Sequence, residues 1–193
     1  MNPKLVFLIV SLLFQIIAYI PYFRDMFKRK TQPHTYTWLI WAITQGVAMA
    51  GVWYGEGGLG ALNLLFGVVA VLTIFFFSLK YGTKNITKSD TVIFILALLA
   101  IVVWWQLKQP LISVIMVTLI DIFAFYPTVR KTYEEPWSET PFTWFFFSLS
   151  TLLALFALSK FSFMTSAYLI TITAMDMILV AIIMYRRKIV PKA

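Results

Sequence analysis

The chain has 193 residues, 61% hydrophobic and 12% charged, with a formal net charge of +8 and a mean hydropathy of +0.84. Soluble domains are nearer half apolar and a quarter charged, so this composition belongs to a membrane-embedded class. The absence of cysteine removes disulfides, thiolate metal sites and cysteine nucleophiles, and the single histidine, His34, makes no histidine cluster.

Seven apolar runs follow one another, at about 4–23, 35–54, 59–79, 91–107, 110–129, 141–159 and 163–185. Each is near the roughly 20 residues a helix needs to cross the hydrocarbon core. The runs are continuous and lack the alternation of barrel strands, so helices are the expected spanning form. The first run resembles a signal peptide in position only. It has no Ala-x-Ala cleavage site and is expected to remain as a span. Gly55-Glu-Gly-Gly58 and Lys108-Gln-Pro110 are the expected turns on one side. Trp104 and Trp105 are expected in the aromatic belt of that side.

The positive charge lies in loops between the runs, where it sets membrane orientation rather than binding nucleic acid. With the N-terminus outside, inner segments hold thirteen Lys and Arg residues, from Arg24 to Lys192, and outer segments hold Lys4, Lys108 and Lys160. Thirteen against three predicts an N-out, C-in protein, and the expected location is the plasma (inner) membrane.

The sequence repeats itself. Ala18-Tyr-Ile-Pro-Tyr-Phe-Arg24, a basic loop and Thr37-Trp38 are matched 106 positions later, without a gap. The second copy is Ala124-Phe-Tyr-Pro-Thr-Val-Arg130, a polar loop and Thr143-Trp144. The shift maps run 1 onto 5, 2 onto 6 and 3 onto 7, leaving run 4 alone. The expected fold is an all-α membrane protein with seven transmembrane helices in a 3+1+3 arrangement. Residues 1–82 form the first three-helix repeat, 83–109 an inverting linker helix and 110–193 the second repeat. Because three is odd, the extra helix makes the two bundles parallel.

A three-helix unit repeated as 3+1+3, with a proline at the inner end of its first helix and then a basic loop, resembles the PQ-loop and SWEET/SemiSWEET (MtN3) transporter superfamily. The segment Pro21-Tyr-Phe-Arg-Asp-Met-Phe27-Lys-Arg29-Lys30-Thr31 is similar to its Pro-Gln motif. The motif's Gln is Tyr22 in the first copy and Thr128 in the second, where Glu134-Glu135-Pro136-Trp137 replaces the basic run. Pro33 and Pro141 precede their helices, and the family's paired asparagines are absent, since Asn63 aligns with Leu169 and Asp176 with Ala70. The resemblance implies a transporter or facilitator that alternates access about a central site.

Asp121 and Asp176 lie near the middle of their spans, where insertion scales charge about 2.5–3.5 kcal/mol for an ionised aspartate. They are candidate proton carriers, or ligands for a cationic or hydroxylated solute. The bland alternative is interhelical hydrogen bonding, at about 0.6 kcal/mol per contact. Gln15 aligns with Asp121 and places a second polar group at the same depth. Trp41, Thr44, Gln45, Ser148 and Ser150 outline an aromatic, hydroxyl-lined pocket. Asn63 is either a pocket residue or a structural hydrogen bond. Trp38 and Trp144 fit interfacial anchors, and His34 fits the headgroup region.

Pro21 and Pro127 are candidate hinges, because proline within a helix removes a backbone hydrogen bond and bends it. Arg24 and Arg130 are either inner-gate residues or snorkelling cations. The expected function is secondary transport or facilitation of a small polar solute (sugar, amino acid or vitamin-like), with proton coupling through Asp121 or Asp176. A non-transporting receptor or sensor of the same fold is the alternative. No metal triad, Ser/His pair or close carboxylate dyad points to an enzyme, and no cofactor motif is present. The expected partners are membrane lipid and a small-molecule solute, and a homo-oligomer stays open.

Overall fold

A computed structural model describes residues 2–106 and 109–192, with the backbone alone at 103–105. The side chains of Trp104 and Trp105, and Lys108 of the expected turn, lie outside the described residues. Seven α-helices account for most of the described residues: α1 (Pro3–Phe27), α2 (Thr35–Tyr54), α3 (Gly60–Tyr81), α4 (Lys88–Trp105), α5 (Pro110–Glu134), α6 (Pro141–Ala157) and α7 (Phe163–Ile189). A short 3₁₀ turn at Pro136–Ser138 precedes α6. Each expected run becomes one helix. The ends that differ most are those of α1, α5 and α7, which continue past the apolar run into charged residues: Arg24 and Asp25, Arg130 and Lys131, Arg186 and Arg187.

Local signals set the boundaries. Asn2 caps α1 by accepting from the Lys4 N–H. Ser162 and Thr165 form a reciprocal capping box at α7. Pro110 and Pro141 occupy the first positions of α5 and α6, where a missing N–H is harmless. The turn between α2 and α3 reverses through left-handed backbone at Glu56 and Gly58, with φ of 63° and 57°. Gly58 is also packed there: a Cβ would collide with Ser159, whose own N–H donates to the Gly57 carbonyl at 2.9 Å.

Helices α1, α3, α5 and α7 are each long and apolar enough to cross a membrane, at 22 to 27 residues. The shorter α6 is also apolar. Their outward faces carry large hydrophobic side chains that a watery surface would not tolerate in such density: Ile20, Val69, Phe76, Phe123, Phe156 and Met184 are all more than half exposed. The interior, by contrast, holds Ser11, Gln15, Thr44, Asn63, Asp121, Ser150 and Asp176, all buried. Apolar outside and partly polar inside is the pattern of a protein whose solvent is lipid. The chain is an all-helical membrane protein.

Packing follows a reciprocal scheme. Helix α1 packs on α6 and α3, while α5 packs on α2 and α7. Helices α2 and α3 are in contact, as are α6 and α7, and α4 rests on α5 and α2. Two hydrogen bonds fix the α1–α6 and α2–α5 crossings. Thr143 Oγ1 donates to the Ala18 carbonyl at 2.9 Å, and Thr37 Oγ1 donates to the Ala124 carbonyl at 3.0 Å. The four residues are the same two positions of the sequence repeat, used crosswise. Pro21 and Pro127 lie three residues beyond the accepting carbonyls. Each proline ring crowds the carbonyl four residues back and opens the helix one residue before Ala18 or Ala124. The small, buried Ala side chains let the partner helix approach closely enough for the Thr hydroxyl to reach.

Candidate functional site

A cavity of about 60 Å³ lies among α1, α2, α5, α6 and α7, with Val71 of α3 also in its lining. Helical periodicity puts its lining on single faces. Helix α1 supplies Gln15 and Tyr19, and α5 supplies Asp121 and Phe125 at the same four-residue step. Helix α2 supplies Trp38, Trp41 and Gln45, and α6 supplies Trp144, Phe147 and Thr151 at the same three- and four-residue steps. From α7 come Tyr168, Ile172 and Asp176, again on one face. Five pairs of the lining are therefore related by the 106-residue shift: 15 with 121, 19 with 125, 38 with 144, 41 with 147 and 45 with 151.

Asp121 is held by two hydroxyl donors. It is buried in mid-helix, and its Oδ1 accepts from Thr44 Oγ1 at 2.5 Å and from the Tyr168 hydroxyl at 3.1 Å. Asp176, one helix away, is buried in the same wall. Behind the wall, Gly67 of α3 lets the glutamines lie close. A Cβ there would strike Gln45 Nε2 and sit 3.1 Å from Gln15 Nε2.

At the end nearer the α1–α2 loop the cavity is floored by aromatic rings. Tyr22 and Trp38 have centroids 5.3 Å apart, Trp38 and Trp144 6.2 Å, and Trp41 and Phe125 4.5 Å. Trp144 Nε1 donates to Glu139 Oε2 at 3.0 Å, which ties the floor to an ion pair below it. Lys131 and Glu139 are both fully buried and meet at 2.5 Å, and the Lys131 ammonium also donates to the Gln32 carbonyl at 2.6 Å. The α1–α2 and α5–α6 loops are joined further by Gln32 N–H to the Ser138 carbonyl at 3.0 Å and by a Thr31–Thr140 hydroxyl contact.

Of the expected site residues, Gln15, Trp41, Gln45, Asp121 and Asp176 line the cavity. Thr44 stands behind it, holding Asp121. Ser148 lies away from the lining and bonds the Phe145 carbonyl and Met177 Sδ. Asn63 also lies elsewhere. Its amide donates to Ser11 Oγ at 3.2 Å and Ser150 Oγ at 2.9 Å, while Ser150 donates to the Ser11 carbonyl, so this trio pins α3 and α6 to α1. Pro21 and Pro127 sit within α1 and α5, beside the crossings described above.

Neither arginine lines the cavity. Arg24 is exposed and pairs with neighbouring Asp25 at 2.9 Å. Arg130 grips Asp90 with two bonds, at 3.0 and 2.6 Å, and Asn85 with two more, anchoring the start of α4 to α5. Trp38 and Trp144 are buried in the floor rather than exposed at an interface. His34 is also buried, with Nε2 3.3 Å from Asp90 Oδ2. Burial foremost, with Lys131 and Arg130 adding to it against the attraction of Asp90, lowers the His34 pKa to about 4, so the ring is neutral at pH 7.

Sequence reasoning missed Tyr19, Phe125, Phe147, Thr151, Tyr168 and the Lys131–Glu139 pair. The repeat itself held part of the signal, because Phe147 and Thr151 are the mates of Trp41 and Gln45. Among the described residues no group of three His, Cys, Asp or Glu converges as a metal centre. Comparison of the chain with protein-family models, curated proteins and solved structures finds no match to any of them.

Proposed function

We propose that this protein is a secondary transporter or facilitator of a small polar solute, working by alternating access about the cavity between α1, α2, α5 and α6. The observation that carries this reading is the lining itself: five repeat-related pairs surround one space, aromatic with a few polar groups. A duplication that served only stability would have no reason to aim both copies at a shared void. The 3+1+3 arrangement with the N-terminus outside is part of the reading. Its support is the reciprocity of the helix contacts, in which each contact among α1, α2 and α3 with the second triplet has its mate under the shift, and α4 alone has none.

In this scheme the bundles 1–82 and 110–193 rock against each other, with Pro21 and Pro127 as hinges beside the crossing hydrogen bonds. The inner gate is the seam of loops and aromatic rings under the cavity, held by Lys131 and Glu139 rather than by Arg24 and Arg130. Asp121 and Asp176 are the groups able to take up a proton in the membrane interior, so coupling to protons runs through them. Membership of the PQ-loop and SWEET superfamily fits this architecture.

The test is solute counterflow in proteoliposomes, with sugars, amino acids, nucleosides, vitamins and amines, with and without a pH gradient. Saturable flux that Gln45→Leu abolishes supports the reading. Ligand-induced thermal stabilisation with no flux of any solute refutes it in favour of a receptor. A pH gradient that drives uptake by the wild type and not by Asp121→Asn supports proton coupling, and equal responses end it.

A further inference from the structure

Among the described residues the cavity lining holds two carboxylates and no basic side chain. Asp121 has its hydroxyl donors, Thr44 and Tyr168. Asp176 has nothing comparable: it is 6% exposed, it faces the cavity, and no hydrogen-bond donor or cation stands beside it among the described residues. A carboxylate removed from water without a partner is unfavourable by several kcal/mol unless it takes up a proton or a cation arrives to pair with it. With both groups ionised, the proximity of Asp121 adds like-charge repulsion, which an incoming organic cation relieves as a proton would and an incoming anion worsens.

The rest of the wall points to the same class of ligand. Trp41, Trp144, Phe125 and Phe147 crowd the space around the carboxylates, with Trp41 and Phe125 only 4.5 Å apart. Indole and phenyl faces attract cations, most strongly where water is excluded. A solute carrying its own carboxylate would find no Lys, Arg or His in this lining to receive it. Amino acids and other zwitterions are therefore disfavoured along with anions. Resting on the cavity being the solute site, we infer that the solute is an organic cation without a carboxylate. It is a protonated amine or quaternary ammonium with an apolar or aromatic body, its charge on Asp176 and its body against Trp41 and Trp144.

Phenethylammonium is a suitable probe, with 2-phenylethanol, phenylacetate and phenylalanine as its neutral, anionic and zwitterionic counterparts. Equilibrium titration of the detergent-purified full chain is expected to give saturable binding of the amine. The other three are expected to bind at least about tenfold more weakly, equivalent to about 1.4 kcal/mol. Asp176→Asn is expected to weaken the amine by a similar factor and leave the alcohol unchanged. Its folding is checked by thermal unfolding, and the wild-type ligand series decides the matter if the variant does not fold. No amine binding, or alcohol or zwitterion binding as tight as the amine, overturns the inference. Amine binding without flux in liposomes sustains the solute class and removes transport. Flux of a sugar or another neutral solute without amine binding does the reverse.

Discussion

Replacing Lys131 with methionine tests whether the seam below the cavity is held as described. The ammonium of Lys131 is fully buried and serves two acceptors, Glu139 Oε1 at 2.5 Å and the Gln32 carbonyl at 2.6 Å. Methionine fills much of the same volume and removes both bonds, leaving the Glu139 carboxylate buried without its cation. Breaking a buried pair from one side costs about 3–5 kcal/mol. Glu139 keeps the Trp144 indole as a donor, at 3.0 Å, which puts the expected loss at the lower end, about 3 kcal/mol. For a chain of this size, about 2–4 °C per kcal/mol converts that to a fall of about 6–12 °C in Tm. Thermal unfolding in detergent measures it. The double variant Lys131→Met, Glu139→Gln strands no charge and still offers Trp144 an acceptor, so it is expected to recover more than half of the loss. A single variant within about 1 kcal/mol of wild type, or a double variant no more stable than the single, refutes the reasoning.

Three further outcomes follow from the geometry. Thr37→Val and Thr143→Val each remove one crossing hydrogen bond, and each is expected to lose about 0.6–1.7 kcal/mol in thermal unfolding. The two losses should agree within about 0.5 kcal/mol, and a large inequality would mean the crossings are not equivalent. Gly67→Ala pushes Gln45 and Gln15 toward the cavity. Phenethylammonium binding should weaken while stability changes by no more than about 1 kcal/mol, and undiminished binding would show that the glutamines yield elsewhere. His34 has its pKa lowered from 6.5 to about 4 in the fold, so the unfolded chain binds the proton more readily between those values. Stability is full above about pH 6.5 and falls on acidification, by about 2 kcal/mol at pH 5. Tm measured at pH 7 and pH 5 should drop more in the wild type than in His34→Gln, and equal drops would remove His34 as the cause.

The helices were legible because the bilayer is a simple solvent. A run near 20 residues long, apolar throughout and bounded by Asn2, Pro110, Pro141 or Ser162, can do little else than form a helix. Helix-helix adjacency was half legible. The repeated Ala, Pro and Thr positions announced that two segments were equivalent, but not that Thr143 would bond Ala18 of the other copy rather than Ala124 of its own. Which faces meet depends on where small residues allow close approach, and a linear reading carries that only as composition. Asp121 and Asp176 announced themselves because ionisable groups in mid-span are costly wherever they point. Tyr19, Phe125 and Phe147 did not, because an aromatic ring in an apolar helix has the same one-dimensional signature whether it faces lipid, core or cavity. Asn63, open between a pocket role and a structural hydrogen bond, and Ser148, expected in the pocket, show the converse: a small polar side chain is placed by its partners, Ser11 and Ser150 for Asn63 and the Phe145 carbonyl and Met177 for Ser148. Hydrophobic runs, the 106-residue repeat and ionisable groups in mid-span are thus readable in one dimension. Which side chains share a space is not, since that depends on the rotation of each helix about its own axis.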